Sequence, residues 1–155
     1  MALVRILVDG FSLLHGWPQL ALGKPRHSAV ARQELIGRLT HYHDACGTPI
    51  TVVFDGSGTG RDPDETPSTS GVEILYSRAG QTADHMIERA AFRLKVYGEI
   101  LVVTDDLAER ETVSGLGGLT SSCENFIRTV EGELGELERE LRIHNQKERA
   151  RFRST

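Results

Sequence analysis

Asp9 follows the apolar run "VRILV", Asp55 ends "PITVVFDG", and Asp105 with Asp106 ends "EILVVTDD". A further acid, Asp84, falls in "TADHMIE", where Thr82 is a candidate N-cap and Ile87, three residues on, starts an apolar stripe. Clustered carboxylates repel one another, and the remedies are protonation, pairing with a basic side chain, or a bound cation. Oxygen ligands without His or Cys suit a hard ion such as Mg²⁺ or Mn²⁺, which bridges carboxylates to phosphates. The chemistry indicated is phosphoryl-group displacement, in which the ion lowers the pKa of a bound water and no Ser or His nucleophile is required.

The elements that must bring these acids together follow from the pattern. "VRILV", "PITVVFDG", "VEILYSR" and "EILVV" read as short buried strands, bounded by Gly, Pro or Asp. Between them lie helical spacings: "SAVARQELIGRLTHYHDACG", with Ser28 as N-cap and Gly47 at its end, and "TADHMIERAAFRLKVYG". "LAERETVSG" is a short helix with Asp106 and Glu109 as its capping box, and Ser121 with Glu124 offers another. From about Glu131 one charged helix runs to the end, with Leu134, Leu137 and Leu141 on its apolar side.

Alternating strands and helices predict an α/β sandwich with a mainly parallel sheet, whose ligands bind beyond the carboxyl ends of the strands. Asp9, Asp55, Asp105 and Asp106 then share one edge, and Asp84, in the first turn of a crossover helix, reaches the same edge. Each acid also has a plain reading. Asp9 before Gly10 and Asp55 before Gly56 suit turns, Asp84 complements a helix dipole, and Asp106 is a possible N-cap. Their coincidence favours a site.

Other features are less specific. His15, His27, His41 and His43 read as surface or packing residues, since His41 and His43 are two apart on a helix and cannot face one ion. Cys46 and Cys123 match no ligand spacing and read as small buried hydrophobes. "SGLGGLTSS" follows no long apolar strand and is not a dinucleotide fingerprint, although the helix after it could contact phosphate. Residues 57–71, rich in Gly, Ser, Thr and Pro, read as a mobile loop.

The chain has 155 residues and a formal charge of −4; from Arg142 onward it carries +4, leaving −8 on the rest. A basic end on an acidic body can hold an anionic polymer near an acidic centre, and a solvated helix end is the bland alternative. No run approaches a membrane span, and the first apolar run, which contains Arg5, is not a secretory leader. A cytoplasmic protein with no membrane partner is expected.

"ILVDGFSLLHGWP", "VVFDG", "GQTADHMIE" and "VVTDDLAERE…SGLGGLTSS", in this order, closely resemble the NYN-domain proteins of the YacP-like group within the PIN-like nuclease superfamily. The likeness runs from about Ile6 to Phe126. It implies a PIN-like three-layer sandwich at residues 1–130, followed by the charged helix and basic tail at 131–155. It also implies a Mg²⁺-dependent endoribonuclease (Mn²⁺ serving equally) acting on messenger RNA associated with the ribosome. Family positions fall on Asp9, Asp84 and Asp106 as catalytic metal ligands, with Asp55 as a further ligand. The resemblance prefers Asp106 to Asp105, which spacing leaves open.

Ser12, Asp105 and Glu88 stand as supporting residues, and Arg26, Arg78, Arg110, Arg149 and Arg151 as weaker candidates for RNA phosphates. The chain departs from the family in Ser12, where Asn is usual, and in an acidic 57–70 loop where a basic one is expected. Those departures support the alternative, a non-catalytic module that grips RNA or the ribosome; the leucines of the last helix suit docking or a homodimer. Receiver, metal-dependent adhesion and Toprim domains also gather acids at strand ends, but their further motif residues are missing here.

Overall fold

A computed structural model describes residues 3–58 and 65–153. Five strands, β1 (Leu3–Asp9), β2 (Ile50–Gly58), β3 (Val72–Arg78), β4 (Glu99–Val103) and β5 (Leu119–Ser121), form one sheet in the order β3-β2-β1-β4-β5. Every pairing is parallel, with Val8 opposite Val52 on one side and Val103 on the other. Asp9 therefore ends the central strand, and all strand carboxyl ends meet at one edge.

The pleat sorts side chains into two cores. Ile6, Val8, Val52 and Phe54 pack beneath α1 (Gly10–Gly16), α2 (Ala29–Cys46) and the start of α5 (Cys123–Arg153). Leu7, Val53, Ile100 and Val102 face the other way, against α3 (Ala83–Leu94) and α4 (Leu107–Gly115). The result is the three-layer α/β sandwich that the spacing predicted. Helix starts also match: Ser28 Oγ accepts from Ala31 N at 3.2 Å, and Thr82 Oγ1 accepts from His85 N at 3.2 Å.

Several features depart from the sequence reading. Helix α1 begins directly after Asp9, where only a turn was expected. Gly10 allows this close approach, because a Cβ there would lie 2.3 Å from Cε1 of the Phe54 ring. Strand β5, three residues long, follows Gly117 and Gly118 and had no apolar run to announce it. Helix α5 starts at Cys123 and passes unbroken through 130 and 131, and its cap is Ser122, whose Oγ accepts from Asn125 N, rather than Ser121. Cys123 is buried as expected, whereas Cys46 is exposed at the end of α2. Of the loop expected at 57–71, residues 59–64 lie outside the described residues.

Candidate active site

The sheet edge turns three carboxylates toward one another. Asp9 at the end of β1, Asp84 in the first turn of α3 and Glu109 in the first turn of α4 each offer an oxygen within 4.8 Å of the other two. The two helix acids arrive by the same device. A helix entered from the carboxyl edge of a parallel strand starts at that edge, and a first-turn residue on its buried stripe points over the strand end. Asp84 precedes Ile87 on that stripe, and Glu109 precedes Val113, both of them fully buried.

Glu109 is only 2% exposed, and neither of its carboxyl oxygens meets a partner at full hydrogen-bond geometry, although the Asp84 carboxyl and the Thr104 hydroxyl stand near it. Burial, together with the adjacent Asp84 and then Asp9, pushes its pKa up to about 9. Asp9 is likewise raised, to about 6, chiefly by burial and further by the charges of Asp84 and Asp55, while the Ser12 N–H and the Thr104 hydroxyl oppose the shift. Ser12 N donates to Asp9 Oδ1 at 3.3 Å, so Asp9 caps α1, and Thr104 Oγ1 approaches Asp9 Oδ2 at 3.4 Å. A buried acid without donors is costly as an anion, and the arrangement becomes favourable when a cation takes the place of the proton. All three donors are carboxylate oxygens, the set that suits Mg²⁺ or Mn²⁺.

The remaining sequence candidates sit differently. Asp106, expected as a ligand, lies outside this group and is the N-cap of α4, with Oδ1 accepting from Ala108 N at 2.9 Å and Glu109 N at 3.2 Å. The capping box is only half built, since Asp106 N donates to Thr104 Oγ1 at 3.1 Å instead of to Glu109. That leaves the Glu109 carboxyl free to turn inward. Asp55 Oδ1 accepts from Ala83 N at 2.8 Å and stands 3.4 Å from Ser77 Oγ, tying the start of α3 to β2 and β3. Asp105 Oδ1 accepts from Cys123 N at 2.9 Å at the start of α5, and its own N–H donates to Ser12 Oγ at 3.1 Å. Ser12 thus joins α1 to the turn after β4. Glu88, one turn beyond Asp84, is half-buried and outside the group of three.

The arginines are dispersed. Arg78 pairs with Glu65, and Arg151 approaches Glu148 at 3.9 Å. Arg26 Nη1 donates to the His15 carbonyl oxygen at 3.3 Å; Arg149 is exposed on α5, and Arg110 is half-buried beside Glu109. His27 packs against Phe11 with the ring centroids 4.8 Å apart and the planes tilted by 32°. The Cys123 thiol is pushed up to about 12, first by burial, and no thiolate chemistry is available at the edge.

Glu109, which the spacing gives to a capping box, is the acid of this group that the sequence reading does not place at the edge. The signal was present: Glu109 stands four residues before Val113, a step that shares a helix face just as the three-residue step from Asp84 to Ile87 does.

Known proteins supply the frame for this geometry. The family model for the YacP-like NYN domain matches residues 6–155. The YacP protein of Bacillus subtilis is 31% identical over 138 residues, 88% of this chain and 81% of that protein. The crystal structure of Rae1 (YacP) from Bacillus subtilis superposes with a TM-score of 0.77 at 29% identity, covering 97% of this chain and 85% of that one. A single-residue variant of the same protein gives 0.75 at 29% identity, over 92% and 84% of the two chains. Sequence and fold agree, and the chain belongs to the YacP-like NYN domain family of PIN-like nucleases.

Proposed function

We propose that this protein is a divalent-metal-dependent endoribonuclease that hydrolyses RNA phosphodiesters. The observation that carries the reading is the group of Asp9, Asp84 and Glu109, with a buried Glu109 carboxyl that no protein donor satisfies. These three side chains would hold Mg²⁺ or Mn²⁺, and Asp55 would add negative charge at the rim. The bound ion supplies an activated water and stabilises the leaving oxygen.

The chain's own residues do the positioning. Glu109 would release its proton to hold a hard cation, since carboxylate ligands bind in the ionised form. Ser12 N–H and the Thr104 hydroxyl orient Asp9, and Asp55 fixes the start of α3 so that Asp84 points over the end of β1.

The family resemblance extends the proposal to ribosome-associated messenger RNA as substrate and to action in the cytoplasm. In the described structure no helix is long and apolar enough to cross a membrane. Exposed Leu137, Leu141 and Phe152 on α5 offer a surface for the ribosome or a second copy.

The test is cleavage of end-labelled single-stranded and structured RNA, with matched DNA, in Mg²⁺, in Mn²⁺ and in EDTA, beside the Asp84→Asn and Glu109→Gln variants. Cuts that need the metal and vanish in both variants are expected. Intact RNA in every lane, from folded protein, would replace this reading with the non-catalytic RNA- or ribosome-binding module.

A further inference from the structure

A cleft of about 420 Å³ lies beside the acidic centre, on the same face of the sheet. Its floor is Leu7 of β1, Val53 of β2 and Leu75 of β3, and its wall is the flank of α3 with Met86 and Ala90. The cleft is open because α3, the helix on this face, buries Val53 of β2 but leaves Leu75 of β3 36% exposed. The described part of the β2–β3 connection, residues 65–70, packs on the opposite side, where Thr69 Oγ1 meets Thr40 Oγ1 of α2 at 2.8 Å and Thr66 N donates to Tyr76 Oη at 2.9 Å.

The pleat joins this floor to the acids. Arg5, Leu7 and Asp9 alternate onto one face of β1, and Thr51, Val53 and Asp55 onto the same face of β2. At the far end Arg5 Nη1 donates to Thr51 Oγ1 at 2.9 Å, and that hydroxyl donates to Glu73 Oε1 at 3.1 Å, so a cation flanks the acid Glu73 through a shared hydroxyl. At the near end Gln81 lines the cleft, immediately before the N-cap of α3 and Asp84.

Two cations stand along the wall. Arg89 and Arg93 are exposed, line the cleft, and have no hydrogen bond or ion pair among the described residues, whereas Arg78 and Arg128 are paired with Glu65 and Glu124. Four residues apart, they lie on one flank of the helix about 6 Å along its axis, a step suited to successive phosphates of an extended strand.

We infer that the cleft carries the RNA strand as it leaves the acidic centre, with Arg89 and Arg93 on two phosphates and the apolar floor beneath the bases. The inference rests on the nuclease reading above. Single-strand channels combine cations that follow the backbone with side chains that stack under the bases; here the cations are Arg89 and Arg93 and the surface under the bases is aliphatic. An acidic peptide would suit the two arginines but would run into Asp9, Asp55 and Asp84 at the near end. A polyanion whose phosphates are also neutralised by a cation at those acids fits both ends.

The test is binding of a labelled single-stranded RNA of about a dozen nucleotides, in Mg²⁺ across a salt series, to the full chain carrying Asp84→Asn so that no cutting intervenes. Adding Arg89→Gln with Arg93→Gln is expected to raise Kd about tenfold or more. It should also reduce the slope of log K against log salt by about 1.4, the value for two lost contacts at about 0.7 each. The matched pair Arg38→Gln with Arg128→Gln, on α2 and α5 across the sheet, is expected to change little. No RNA binding by the parent, an unchanged slope in the cleft variant, equal losses in both pairs, or displacement of RNA by polyglutamate as readily as by unlabelled RNA would each overturn the inference. Cleavage by the unmodified chain is measured separately: intact RNA there fails the nuclease reading, while the binding result still decides the cleft.

Discussion

Two sets of acids crowd the same sheet edge, and they differ in what their oxygens meet. Asp55, Asp105 and Asp106 each accept a backbone N–H at the start of a helix, those of Ala83, Cys123, and Ala108 with Glu109. Such acids are satisfied by the fold and strengthen it, since a carboxylate at a helix N-terminus fills an orphan donor and complements the dipole. Asp84 and Glu109 cap nothing, and Glu109 is buried with both oxygens unmet. Asp9 divides itself between the two sets, capping α1 with one oxygen and facing Asp84 and Glu109. A carboxylate that a protein buries and leaves unpaired costs stability, so its retention points to a ligand that is not protein.

Substitution at the unpaired set should give the largest effect. Glu109→Gln and Asp84→Asn are expected to lower RNA cleavage by about 100-fold or more in Mn²⁺, measured as initial rates, because each removes a charged oxygen the ion needs. Glu109→Gln should leave the metal-free fold near neutral pH as stable as before or more so, because folding must hold a proton on the Glu109 carboxyl that the unfolded chain releases.

Metal and pH provide the next separation. The folded chain holds the Asp9 proton up to about 6 and the Glu109 proton up to about 9, above the ordinary 3.8 and 4.5. A proton held more tightly when folded stabilises the protein at low pH, and that contribution fades as pH climbs through the folded values. The Tm in EDTA should therefore fall between about pH 5 and about pH 9, and excess Mn²⁺ should flatten the decline. A decline of the same steepness in Glu109→Gln would assign the effect to other groups.

Capping acids should behave as structural parts. Asp106→Ala is expected to cost about 1 kcal/mol, or about 3 °C in Tm, by thermal unfolding, while Asp106→Asn, which keeps a capping oxygen, costs less. Cleavage by Asp106→Asn should stay within about tenfold of the parent. The smallest change is expected from Asp105→Asn, which keeps an acceptor for Cys123 N; a loss of cleavage there equal to that of Glu109→Gln would erase the distinction between the two sets.

Much of this edge was legible in the chain. Apolar runs ending in Asp, at Asp9 and Asp55, placed the strand ends, and the Thr82–Ile87 spacing placed Asp84 on the buried side of its helix. Two limits are instructive. Helix α1 was hidden because its start depends on Gly10 fitting against Phe54, a contact between segments far apart in sequence. The different settings of Asp106 and Glu109 were not legible, because a capping box and a half-built cap share one spacing. Only the tertiary position of Thr104, which takes the Asp106 N–H, decides that the Glu109 carboxyl turns inward. Strand β5 gains its place from pairing with β4 rather than from its own residues.

The central claim is that Asp9, Asp84 and Glu109 hold one divalent cation while Asp106 only caps. Calorimetric titration of Mn²⁺ into the unmodified chain, Glu109→Gln and Asp106→Asn tests it without recourse to any substrate. Saturable binding by the first and third with loss in the second is the expected result. Binding by Glu109→Gln as tight as that of the parent, or its loss in Asp106→Asn instead, would contradict the assignment.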